Sequence, residues 1–363
     1  MSVQIVFVKF YVFFRRSNVK NIVMLLLFVC SIAWGQLNDY IGSIDVTNEG
    51  INPECVLIDS TNFKIYISIH NTQNTGAKDG LIGVYDLQTH NQEKIFQCGS
   101  NVLIDPMGMA LIGNFLYVAN SDLTGITGGN IVRINVVTGD WVSGGNGVAL
   151  PAGGNNYFDL TTDGTNLWAG SSLSTPTGNL YRFSQLENWP NPTVNTTSLV
   201  TNARGNGVIL GAGNDIWVAD FSGGNHAGHV QSYDRNTGTV GTLWNFFSVG
   251  ANLMDGLAWI GEPGNSDLYT TDWGANVYLR SHKNNSYTTI ISGFEHAADI
   301  DIDKNNKRLY VVDMTADEIK IYGEKKSEKH HSNGHTCGAI GIEFLFLMLI
   351  LKLLSKFKNR NKT

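Results

Sequence analysis

Apolar runs recur along the chain in pairs, each pair split by a turn. The second run of each pair is built around Leu or Ile followed by Tyr or Trp. These centres fall at Tyr66, Tyr117, Trp168, Trp217, Tyr269 and Tyr310, spaced 51, 51, 49, 52 and 41 residues apart. A period in that range marks an array of like supersecondary units. Residues 108–142 show the unit most cleanly. Residues 108–111 form a small apolar run, and Gly113-Asn114 is a hairpin turn. Residues 115–119 are rich in strand formers, and residues 131–135 alternate apolar and polar. After Thr138-Gly139, the segment Asp140-Trp141-Val142 reads as the start of a fourth strand. Four antiparallel strands in about 50 residues make a propeller blade. The expected fold is therefore all-β, a six-bladed β-propeller.

The sixth unit stops one strand short, at residues 318–322, while residues 40–46 form a strand that belongs to no unit. Pairing these two closes the ring and removes two open sheet edges. The propeller is expected over residues 36–323 as one domain. Turns account for much of the 40 glycines, and the 38 aromatic residues argue against a disordered chain.

The two ends read differently. Residues 1–35 hold Lys9, Arg15, Arg16 and Lys20, then an apolar core at 22–32 and small residues at Ala33 and Gly35. This is the pattern of a secretory signal peptide cut before Gln36, with an uncleaved anchor as the rival reading. Residues 324–336 form a polar linker. Residues 337–363 run from Cys337-Gly338 through an apolar stretch at 344–351 to Lys352, Lys356, Lys358, Arg360 and Lys362. This tail resembles bacterial C-terminal sorting signals, and a simple tail anchor is the alternative. Both readings put the propeller outside the cytoplasm, in the periplasm, envelope or cell surface, with membrane contact through the C-terminal segment. Between the ends, 16 basic and 30 acidic residues leave the propeller near −14, against −6 for the whole chain. Such a surface repels phosphate backbones, so nucleic acid is not an expected partner.

The cysteines between the two end segments are Cys55 and Cys98, with no metal-ligand spacing between them. Two buried thiols are expected, with a disulfide across the blade 1 to blade 2 crossover as the alternative. No Ser-His-Asp arrangement can be placed. The Gly-rich stretches 125–129, 144–154 and 223–228 read as blade loops, not nucleotide sites.

The start of each innermost strand should face the propeller axis. The equivalent positions are Glu54, Met107, Phe158, Asn206, Asp255 and Ala298, with Asn155 and Asn156 just before the third. Oxygen donors converging on one point suit a hard cation. Acids that merely solvate the channel are the plainer reading. Asn120, Asp220, Asp272 and Asp313 recur at the end of the second strand and should cap turns. His226 and His229 read as solvated loop histidines, with metal or ligand binding as the alternative, and His330, His331 and His335 read as linker. Most tryptophans should pack blades. Trp273, beside Asp272, is the one expected to face a ligand.

The phrases at residues 53–59, 205–210 and 254–259 resemble the repeats of the gluconolactonase/senescence-marker-protein family and of NHL-type propellers. The lactonase resemblance implies a divalent cation, calcium or zinc, held by Glu54, Asn206, Asp255 and a further Asn, here Asn156. Phe158 stands at the second Asn position, and Pro53-Glu54-Cys55 departs from the family's Glu-Gly-Pro phrase. The NHL-type resemblance implies a binding module. Two functions follow: a monomeric exported propeller that binds a small molecule or an extracellular protein, or a metal-dependent hydrolase of the lactonase type.

Overall fold

The computed structural model describes residues 37–70, 80–97, 103–121, 129–142, 147–149, 156–172, 178–200 and 203–324. The chain divides after Lys325 into two units, and the second lies wholly outside the described residues. The signal segment 1–35, the tail 337–363, Cys98, Asn155 and the three tail histidines also fall outside them. Among the described residues, no helix is long and apolar enough to cross a membrane.

Six four-stranded antiparallel sheets follow one another along the chain. Their innermost strands are Pro53–Asp59, Asp105–Ile112, Asn156–Thr162, Gly205–Leu210, Met254–Trp259 and Ala297–Asp303. The sixth sheet takes its outermost strand from the other end of the chain. Leu37–Asp45 pairs antiparallel with Glu318–Glu324, with Tyr40 opposite Tyr322 and Ile44 opposite Ile319. The expected closure is present.

Adjacent blades pack face to face, and the core is divided among the gaps between them. Tyr66 and Ile82 of blade 1 meet Val118 and Val132 of blade 2. Trp168 and Leu180 of blade 3 meet Ile216 and Tyr233 of blade 4. The residues at the repeat centres are all buried, from Tyr66 to Tyr310. This is why the Leu/Ile-aromatic phrase recurs: one side chain of each pair faces each neighbouring blade. Trp217 stacks on Trp244 at 3.5 Å, with Trp259 edge-on to Trp244.

Asp, Asn and Thr set the rim turns. Asp86 Oδ1 accepts from the backbone N–H of Gln88 and Thr89. Asp234 does the same for Asn236 and Thr237, and Asn135 for Val137 and Thr138. These are Asx turns, which satisfy the backbone where the chain reverses.

One strand differs from expectation. Trp141 makes a single bridge to Ile134, and the fourth strand of blade 2 is Val148–Ala149 instead. The sequence after Val142 is Ser-Gly-Gly-Asn-Gly. Glycines weaken a strand, so the ladder resumes only where Val148 supplies a β-former again.

Candidate functional site at the axial mouth

The innermost strands share one irregularity. Their register with the second strand slips between Pro53 and Cys55, Pro106 and Met109, Tyr157 and Leu160, Gly205 and Val208, Met254 and Leu257, and Ala297 and Ile300. Each slip is a β-bulge, which leaves residues unpaired and re-aims their side chains. The released residues are Glu54, Met107-Gly108, Phe158-Asp159, Asn206-Gly207, Asp255-Gly256 and Ala298-Asp299. The bulge is the local reason that this part of each blade reaches the axis.

All six innermost strands contribute to one small axial cavity of about 10 Å³. Its lining includes Glu54, Asn206 and Asp255, as the sequence predicts, with Phe158 facing them. Asp159 and Asp299 join them, the second unpaired residue of blades 3 and 6. Blade 2 presents Gly108 rather than Met107, whose Sδ sits 3.0 Å from His70 Nε2. Asn156 pairs with Ser172 at the start of its strand and is not part of the lining.

The glycines have a steric reason. A Cβ on Gly207 would run into the Asp255 carbonyl oxygen, and one on Gly108 into the Asp159 carboxylate. Neighbouring strands converge so closely here that only glycine fits.

The acids are crowded and dry. Glu54 is 6% exposed and Asp255 5%. Burial pushes Glu54 up to about 8, and the charges of Asp299, Asp105 and Asp159 add to the rise. Burial and then Glu54 raise Asp255 well above the usual carboxylate range. Asp159 is raised by burial and by Asp299, and burial carries Asp299 up to about 7. The Cys55 thiol, free and buried, is also raised by burial, with Asp299 beside it.

Two acids of the innermost strands differ in kind from Glu54 and Asp255. Asp159 Oδ1 and Oδ2 accept from the backbone N–H of Leu160 and Val208, tying blade 3 to blade 4. Further along the innermost strand of blade 6, Asp301 accepts from Ile58 and Ile302, tying blade 6 to blade 1. These two are structural. By contrast, Glu54 Oε2 and Asp255 Oδ2 are buried with no hydrogen-bond partner among the described residues. An unpaired buried carboxylate is costly, and a divalent cation would satisfy both oxygens. The donor set of Glu54, Asn206 and Asp255 is all oxygen, which fits a hard ion such as calcium.

The capping positions behave as expected. Asn120 Oδ1 accepts from Ile104 N–H, Asp220 Oδ1 from Arg204 and Ser222, and Asp313 from Glu295 and His296. Each holds the segment that enters the innermost strand of its own blade. Trp273 is half-buried, stacked on His296 at 5.1 Å with Phe221 edge-on. It sits at the mouth end of blade 5, where the sequence places it.

A comparison with protein-family models gives no match, and neither does one with curated proteins. Solved structures do match. A gluconolactonase from Xanthomonas campestris superposes with a TM-score of 0.55 at 12% identity, covering 76% of this chain and 86% of that one. The WD40 propeller domain of Doa1 superposes with a TM-score of 0.51 at 14% identity, covering 75% and 79%. At these identities the likeness concerns the fold, and the chain is a six-bladed β-propeller similar in architecture to both.

Proposed function

We propose that this chain is an exported propeller that binds an oxygen-rich ligand, a small molecule or an extracellular protein, over a divalent cation at its axial mouth. Glu54, Asn206 and Asp255 hold the cation. One observation carries this reading: Glu54 Oε2 and Asp255 Oδ2 are buried, partnerless and on the same cavity. That cavity has room for about one ion or one water. A ligand bound to the ion would therefore sit above it rather than within that cavity. Trp273 and Phe221 offer apolar faces at that end of the blades. Export and envelope attachment rest on the two end segments of the sequence.

A second reading is favoured by the donors shared with the lactonase resemblance. When bound, the ion would polarise a lactone carbonyl and lower the pKa of a bound water. In that reading Glu54, Asn206 and Asp255 place the ion, while Phe158 keeps one side of the site dry.

Calorimetric titration of the full chain with calcium, an ion that nitrogen-containing ligand sets disfavour, tests the axial cation site. One ion per chain is expected, with binding abolished in the Glu54→Gln/Asp255→Asn double variant. Binding that survives the double variant unchanged, or no binding at all, would sink both readings. A lactone-hydrolysis assay on the loaded protein then separates them.

A further inference from the structure

The capping carboxylates use their two oxygens differently. In blades 2, 5 and 6 the side-chain oxygen of the capping residue accepts from a backbone N–H, and its other terminal atom meets a blade-specific partner near the third strand. In blade 2, Asn120 Nδ2 donates to Asn130. In blade 5, Tyr278 O–H donates to Asp272 Oδ2 at 3.0 Å. In blade 6, Lys320 Nζ donates to Asp313 Oδ2 at 2.6 Å. Blade 4 breaks the series by putting two imidazoles in that place.

His226 ends the short turn Gly224–His226, and His229 opens the third strand, His229–Asp234. The donor atoms of Asp220, His226 and His229 all lie within 4.8 Å of one another. The two rings meet edge to face at 5.5 Å. His226 Nδ1 is 3.1 Å from Asp220 Oδ2, yet this buried nitrogen makes no hydrogen bond. Two lone-pair atoms at that distance and out of alignment with each other suit a shared third body. Ligands about 2.0–2.1 Å from a tetrahedral ion stand ~3.3 Å apart.

We propose that Asp220, His226 and His229 form a second metal site, for a borderline transition ion such as zinc. Two imidazole nitrogens and one carboxylate oxygen suit such an ion, whereas calcium prefers oxygen alone. The site therefore differs in ion preference from the axial one. It also lies close by, since Asp220 pairs with Gly205, the neighbour of Asn206. Three protein ligands leave a coordination position open for water or a ligand. His229 Nε2 contacts Asn245 Nδ2 at 3.3 Å, an exposed contact. Because an amide nitrogen only donates, Nε2 is the ring's lone-pair nitrogen in this contact, and the contact yields when Nε2 binds the metal.

The test uses the full chain, stripped with a chelator and then supplied with calcium. Cobalt(II) is the probe, because tetrahedral nitrogen and oxygen ligation gives visible ligand-field bands, with zinc as competitor. One cobalt per chain is expected, displaced by zinc. His226→Ala or His229→Gln should lower affinity by roughly 100-fold or more, above the 10–100-fold seen for outer-shell partners. Glu54→Gln/Asp255→Asn, which touches none of the three ligands, should leave the cobalt affinity unchanged. Near-UV circular dichroism checks that each variant is folded. Bands that persist in the His226→Ala/His229→Gln double variant would overturn the proposal and place the metal elsewhere, such as among His330, His331 and His335. Bands lost only in the axial variant, or absent from the folded wild type, would overturn it equally.

Discussion

Aspartates at the rim and acids at the axis have the same chemistry and opposite environments. At the rim, the backbone and hydroxyl of Thr89 hold Asp86 below the usual carboxylate range, and the backbone N–H groups of Thr237 and Asn236 do the same for Asp234. Both are partly exposed and both finish a turn. At the axis, Glu54 and Asp255 are dry, mutually repelling and partly unpaired. A rim carboxylate is readily charged and serves the fold through the turn N–H groups it accepts from, whereas a charged axial one opposes folding. Acids kept where they oppose folding mark a place shaped by something other than stability.

The sharpest way to break this comparison is steric. Gly207→Ala adds a Cβ where the Asp255 backbone stands, and flexible side-chain movement cannot relieve it. A loss of ~3 kcal/mol or more is expected, as for severe overpacking, together with loss of cation binding, because both donors shift. Urea denaturation and calorimetry measure the two effects. A stability near wild type would mean that the inner strands are not wedged together as described.

The next effect is electrostatic. Glu54 rises from 4.5 to about 8 on folding, so between those values the folded state holds a proton that the unfolded chain has released. Stability should therefore be highest below the ordinary carboxylate range and fall as pH rises through about 4 to 8. In metal-free protein the melting temperature should drop across that window, by roughly 2–4 °C for each kcal/mol lost. Glu54→Gln should flatten the drop, and saturating calcium should reverse it. A melting temperature that climbs steadily from pH 5 to pH 8 without metal would contradict the assignment.

The smallest effect sharpens the contrast from the other side. Asp234→Asn keeps the acceptor oxygen of the Asx turn and removes only a solvated charge. Its melting temperature should stay within about 2 °C of wild type at neutral pH, as for ordinary surface changes. A larger drop would show that rim charge, and not turn geometry, holds these hairpins.

The propeller was legible because the Leu/Ile-aromatic phrase is a packing requirement repeated in every blade. The closing strand was legible because residues 40–46 had no other partner. Glu54, Asn206 and Asp255 were reachable by aligning the repeats. Asp159 and Asp299 were not, because a period-2 reading assigns alternate residues to alternate faces. The bulge turns two successive residues toward the axis and breaks that rule. Its trace in the sequence is Met107-Gly108, Asn206-Gly207 and Asp255-Gly256, a glycine after the ring residue where strands crowd. The blade 4 cluster was only partly legible, for another reason: the two histidines can be noted as candidate ligands, but Asp220 reads as a turn cap. His226 and His229 become a cluster only beside Asp220, whose role changes from one blade to the next.

The closing strand sets the timetable of folding. Leu37–Asp45 is made early, but its partner Glu318–Glu324 is made nearly 300 residues later. At about 5–20 residues per second, that wait is roughly 15–60 s. Until then the growing chain carries a finished first strand with nowhere to pair and blades whose faces lack a neighbour. The first strand has to be kept from pairing elsewhere until the last blade emerges. A truncation that removes only the first strand or only the last would leave a similar defect, a sixth blade missing its outer seam.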